Sequence, residues 1–140
     1  MNQPASREAV TDVVELRIPA KAEWVSIARL AVSAVASRLQ FSIEEIEDVK
    51  LAVAEALVSS IARGGSRIDI ICESLADGLR IRVRNFGVPE QPEVIDVASV
   101  DESAASSLGV FLIRALMDTV DYDARAEGGS DLVMFKRLPA

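Results

Sequence analysis

The sequence contains no histidine, a single cysteine and few aromatic residues, which make up 4% of the chain. Without histidine there is no His-ligated metal site, no Ser/His/Asp triad and no Cys/His dyad, so proton transfer has to use carboxylates or lysines. The lone cysteine, Cys72, excludes an internal disulfide. Because it ends the apolar run 68–72, we interpret it as a small buried core residue and not as a catalytic thiol.

The sequence also lacks long apolar runs and an excess of basic charge. No run approaches the roughly 20 apolar residues of a membrane-spanning helix, and the N-terminus is too polar for a secretory signal peptide. We therefore expect a cytoplasmic protein that does not bind membranes. The net charge of −7 disfavours duplex DNA and other partners that need a broad basic surface, so we expect no direct nucleic-acid binding.

The composition that remains is that of one globular domain. Hydrophobic residues make up 50% and charged residues 26% of the 140-residue chain, which is long enough to bury a core built mainly of Val, Ile, Leu and Ala. We assign residues 1–12 to a polar N-terminal tail and residues 13–138 to a single domain.

Periodicity predicts the order strand, helix, helix, strand, strand, loop, helix, strand, strand. The clearest signal is a capping box in which Ser42 is the N-cap and Glu45 stands three residues later. Strands are predicted at 13–18, 68–73, 79–83, 122–126 and 132–136, and helices at 22–39, 43–63 and 107–120. This order favours an α/β two-layer sandwich, with a mixed, mainly antiparallel sheet covered on one face by about three helices.

Three segments carry a resemblance to a known family: SIARL at 26–30, EEIEDVKLAVAEA at 44–56 and LMDTV at 116–120. With the element order, they resemble the anti-sigma-factor serine kinases of bacterial stress and sporulation control. These kinases belong to the gyrase, Hsp90, histidine-kinase and MutL class of ATPases, and the resemblance covers residues 13–138. It implies a histidine-kinase-like ATPase fold, an ATP and Mg²⁺ site, a homodimer, and two partners: an alternative sigma factor and an antagonist protein.

The resemblance also implies roles for individual residues on the long central helix and after the third strand. Glu55 matches the general base, whereas Ser59 stands where the family has an Asn that helps to hold Mg²⁺. Asn85 replaces the Asp that accepts the adenine amino group; Gly87 keeps the first glycine of that motif, and Val88 replaces the second. A serine hydroxyl offers less reach than an amide carbonyl, and Mg²⁺ demands near-ideal octahedral geometry.

The phosphate-binding lid of the family is the third altered part. Here it reads Ser106-Ser107-Leu108-Gly109, where Ser107 and Gly109 occupy matched positions and the serines also suit a simple helix N-cap. Because phosphoryl transfer needs base, metal and phosphate-binding groups together, we expect a degenerate nucleotide site with no metal ligands and no required cofactor.

Arg29 matches an arginine that in the family binds the sigma factor and the antagonist. We therefore expect a regulator that sequesters an alternative sigma factor by protein–protein contact and is countered by an antagonist. One alternative is an active serine/threonine kinase that phosphorylates the antagonist, with Glu55 as general base and ATP with Mg²⁺ as cofactor. Another is a regulator of a different partner that kept only the fold.

Overall fold

The computed structural model of the chain describes residues 9–86, 109–124 and 129–139, which form one sheet and the helices that cover it. The strands are β1 (Val10–Pro19), β2 (Arg67–Leu75), β3 (Gly78–Phe86), β4 (Thr119–Ala124) and β5 (Ser130–Arg137). The helices are a 3-10 turn (Ala22–Trp24), α1 (Val25–Ala36), α2 (Ile43–Ala62) and α3, of which residues 109–116 are described.

The sheet has five strands in the order β1-β2-β3-β5-β4, and each neighbouring pair is antiparallel. Residues alternate between the two faces, so buried positions recur at every second residue along β2 and β3. This arrangement confirms the two-layer α/β sandwich. None of the helices in the described ranges is long and apolar enough to cross a membrane.

The core lies between α2 and the central strands. Val49, Val53 and Leu57 recur at helical spacing on α2 and are 0% exposed. They belong to one apolar cluster with the inward residues of β2 and β3, including Ile70 and Ile81. Burying each such side chain is worth about 1.5–3 kcal/mol, so this contact holds α2 at a fixed position on the sheet.

The predicted capping box at the start of α2 is confirmed. The backbone N–H of Glu45 donates to Ser42 Oγ at 3.0 Å, and the backbone N–H of Ser42 donates to Glu45 Oε1 at 2.8 Å. Two N–H groups that the helix leaves without partners are thereby satisfied.

The first helix is shorter than the sequence predicts. The predicted range 22–39 divides into the 3-10 turn and α1, which ends at Ala36. Helical spacing over 22–39 predicts Trp24 on the apolar face, but it lies in the 3-10 turn and is 36% exposed. The residues of α1 that do enter the core are Ala28, Val32 and Ala36, whose small side chains let the helix lie close to its neighbours.

The third helix was predicted to continue to residue 120, and this is wrong. Its described part ends at residue 116, and β4 begins at Thr119. The backbone N–H of Asp118 donates to the Phe135 carbonyl at 2.8 Å, so pairing with β5 draws the chain out of the helix. Helical spacing also predicts Phe111 on the buried face, but Phe111 is 69% exposed, whereas Ile113 is 1% exposed.

Cys72 is a core residue, as predicted. Its side chain is 3% exposed, between the inward residues of β2. Burial, with a smaller contribution from the charge of Glu73, raises the pKa of the thiol to about 12. The thiol therefore stays protonated at neutral pH and is a poor nucleophile.

The capping box predicts a measurable loss of stability in Ser42→Ala. Removing the cap leaves the Glu45 N–H unsatisfied, and we expect the free energy of unfolding to fall by about 1 kcal/mol in urea denaturation. Ser37→Ala is the matched control, because the exposed Ser37 hydroxyl bonds only to the nearby Ala34 carbonyl. That variant should change stability by less than about 0.5 kcal/mol, and equal losses in both would contradict the capping role.

Candidate functional site

The site is built on the C-terminal half of α2, on the flank beside its buried face. Glu55 and Ser59 lie one helical turn apart there, and both are half-buried. Gly109, the first described residue of α3, packs against this surface: a Cβ added to Gly109 would lie 3.3 Å from Glu55 Oε1. Two positions matched separately in the sequence are thus in contact.

Asn85 joins the same helix from the end of β3. Its side chain is 1% exposed, and its Nδ2 donates to the Ser60 carbonyl at 3.0 Å. The structure therefore places Asn85 against α2 one residue beyond Ser59. Gly87 and Ser107, the other matched positions, lie outside the described residues, as do Val88 and Ser106.

Sequence reasoning missed three residues beside Asn85. Gly65, which follows the end of α2, has a φ of +111°. A Cβ there would lie 2.5 Å from Asn85 Oδ1 and 2.6 Å from the Phe86 carbonyl oxygen. Ser130 pairs with Asn85 across β3 and β5 and is 7% exposed. Ser60 contributes its carbonyl. A Gly-Gly pair after a helix is the only signal that suggested a close approach.

A contact between two side chains holds the end of α2, whereas Arg29 lies elsewhere. The Arg63 guanidinium donates to the Tyr122 hydroxyl and lies 5.1 Å from the centroid of that ring, which ties the end of α2 to β4. Arg29 lies on α1, a different helix, and is exposed. The candidate partner residue and the Glu55 site thus belong to separate elements.

The comparisons with known proteins identify the family. Residues 18–136 match a family model described as the histidine kinase-like ATPase domain. The chain belongs to the histidine kinase-like ATPase family. Among its relatives, the serine-protein kinase RsbW of Listeria monocytogenes serotype 4a is 39% identical, over 91% of this chain and 88% of the relative. The kinases of that name from Bacillus pumilus and Oceanobacillus iheyensis are each 34% identical, over 91% and 78% of this chain and 86% and 77% of the relatives.

These matches confirm the resemblance to the anti-sigma-factor serine kinases. The family implies ATP and Mg²⁺, and the described residues fit this pair poorly. For the metal, Ser59 offers one hydroxyl in place of an amide carbonyl. For the adenine, Asn85 offers a neutral amide oxygen where the family has a carboxylate, and its amide nitrogen already donates to the Ser60 carbonyl. The glutamate is kept, but the groups that should position its substrate are changed.

The close approach of Gly65 to Asn85 predicts different effects at the two adjacent glycines. Gly64→Ala and Gly65→Ala both force alanine to a positive φ, of +98° and +111° respectively. Only Gly65→Ala also drives a methyl group into Asn85, because a Cβ at Gly64 would meet nothing within 4 Å. We expect Gly65→Ala to lower the free energy of unfolding by about 1–3 kcal/mol more than Gly64→Ala.

Thermal or urea unfolding of the two variants measures this difference directly, because the strain of positive φ is common to both. Similar stability of the two variants would contradict the close approach, because it would show that the turn moves away from Asn85 at no cost in free energy.

Proposed function

We propose that this protein is a cytoplasmic anti-sigma-factor-like regulator, which sequesters an alternative sigma factor by direct contact and is countered by an antagonist protein. The similarity to the serine-protein kinases RsbW supports a regulator of this class. The observation that carries the proposal is the set of residues at the site. Glu55 is retained, but Ser59 stands in place of the asparagine implied for Mg²⁺ and Asn85 in place of the aspartate implied for adenine. Binding a partner requires a surface and not an intact phosphoryl-transfer centre.

The exposed surface of α1 supports the partner-binding part of the proposal. Ile27 and Leu30 are one turn apart on α1 and are 45% and 66% exposed, and the exposed Arg29 stands between them in the chain. Arginine is enriched in interface hot spots, and the exposed apolar side chains beside it offer surface that a partner can bury. A guanidinium also makes bidentate contacts with carboxylates and loses its water more cheaply than an ammonium group.

The alternative function, an active serine kinase, is favoured by one observation. The contact of Gly109 with Glu55 is the arrangement expected if the start of α3 closes over a general base. When bound, ATP would supply the phosphoryl group. In that case Glu55 would accept the proton of a serine hydroxyl on the antagonist.

The partner surface predicts a loss of affinity in Arg29→Ala. We expect binding to the cognate alternative sigma factor to weaken about thirtyfold or more, which corresponds to about 2 kcal/mol. Calorimetry against a panel of purified sigma factors measures the affinity, and a melting curve for each variant should stay unchanged. Arg38→Ala, which changes an exposed arginine in the turn that follows α1, is the charge-matched control.

If Arg29→Ala and Arg38→Ala bind the sigma factor with equal affinity, Arg29 is not part of the interface. Failure of the unmodified protein to bind any sigma factor of the panel would overturn the proposed function and favour a regulator of another partner.

The degenerate site predicts no phosphoserine on the antagonist after incubation with radiolabelled ATP and Mg²⁺. The Listeria monocytogenes relative, a serine-protein kinase by name, serves as the positive control. We also expect Ser59→Asn alone to create no activity, because Asn85 and Ser106-Ser107 would still be unmatched. If phosphoserine forms and Glu55→Gln abolishes it, the kinase alternative is correct.

A further inference from the structure

The two ends of the Asn85 amide lie in opposite situations. The nitrogen donates to the Ser60 carbonyl at 3.0 Å, whereas the buried Oδ1 has no hydrogen-bond partner among the described residues. A buried acceptor without a partner is unfavourable. The orientation of this amide is therefore decided on its donor side.

Only a donor can face the Ser60 carbonyl. This carbonyl lies in the last turn of α2, where the helix leaves carbonyl groups without intrahelical partners. It accepts from the Arg63 N–H at 3.2 Å and from Asn85 Nδ2 at 3.0 Å. A flipped amide, or an aspartate in place of Asn85, would set an oxygen against this carbonyl. The amide of Asn85 is thus a C-terminal cap for α2, supplied by β3.

The oxygen side of the amide is closed by the turn that follows α2. Gly65 approaches so closely that a Cβ there would lie 2.5 Å from Oδ1. The next residue, Ser66, donates its N–H to the Phe86 carbonyl at 3.2 Å and so ties the turn to the end of β3. The amide oxygen, which the resemblance matches to the acceptor of the adenine amino group, thus lies against this chain's own turn.

We propose that Asn85 has exchanged base recognition for helix capping, and that it holds the end of α2 against β3 without a nucleotide. Folding and partner binding are then independent of adenine nucleotides, which leaves competition by the antagonist as the means of release. The partner-binding statement rests on the proposed function; the capping statement rests only on the contacts of Asn85.

The decisive variant is N85D, which restores the family's aspartate. If Asn85 reads a base, N85D should gain nucleotide affinity; if Asn85 is a cap, N85D should lose stability. We expect its melting temperature at pH 8 to fall by about 5 °C or more, because a buried carboxylate faces the Ser60 carbonyl.

The loss in N85D should also depend on pH. Burial and the facing carbonyl raise the pKa of the new carboxyl in the folded state, so the protonated form can donate to Ser60. The stability that the protonated carboxyl contributes is then fully present below the pKa of this carboxyl in the unfolded chain. It is lost as pH rises through the pKa of the carboxyl in the folded protein. The residues beside the Asn85 side chain on α2, the turn and β5 are Ser60, Gly65 and Ser130, and none of them titrates. The neighbouring charge, Arg84, points to the opposite face of the sheet, where it pairs with Asp131.

Gln40→Glu is the control for this measurement. Gln40 is exposed after α1, so its change adds the same charge without a facing carbonyl, and it should leave the melting temperature and its pH dependence unchanged. Equal behaviour of the two variants, or a melting temperature of N85D that is unchanged at pH 8, would overturn the capping role.

A second test uses the unmodified protein and so does not require that any variant folds. Its melting temperature should not rise with 1 mM ADP or ATP and Mg²⁺, and its sigma-factor affinity should change less than twofold on adding either nucleotide. A rise of about 3 °C or more with ADP, matched by saturable binding in calorimetry, would overturn the proposal. Absence of sigma-factor binding would instead contradict the proposed function and leave the melting results interpretable.

Discussion

The packing of α2 on the central strands is the constraint on which the rest of the structure depends. One face of this helix buries Val49, Val53 and Leu57 in the core, so the helix cannot rotate or slide without opening cavities. The flank beside this face carries the half-buried Glu55 and Ser59, whose positions are consequently set by the core. The burial that stabilises the fold and the geometry of the candidate site are two consequences of one contact.

The C-terminus of α2 is held by contacts from a neighbouring strand. The last carbonyls of a helix lack intrahelical donors and need other partners. Here the Asn85 amide supplies one, and the glycine turn packs over the amide oxygen. An aspartate lacks the N–H that this arrangement uses. An asparagine at position 85, where the family has an aspartate, therefore fits the contacts that surround it.

The proposed partner surface and the altered site are separable because they lie on different elements. Arg29, Ile27 and Leu30 project from α1, while Glu55 belongs to α2. The small core residues of α1, such as Ala28, fix that helix on the domain independently of the chemistry at Glu55. A chain of this kind can lose phosphoryl transfer and keep a surface for protein partners.

The sequence by itself determined the features that depend on local periodicity and local hydrogen bonds: the sandwich class, the capping box at Ser42, the buried Cys72 and the placement of Glu55 and Ser59 on one side of α2. Tertiary structure alone decided the end and the buried face of α3, where pairing of Asp118 with Phe135 overrides helical spacing. It also decided the contact of Gly109 with Glu55 and the bond from Asn85 to Ser60, 25 residues apart. Periodicity specifies which side of an element is apolar, but a contact between distant residues depends on how the elements pack, and that is determined by the core as a whole.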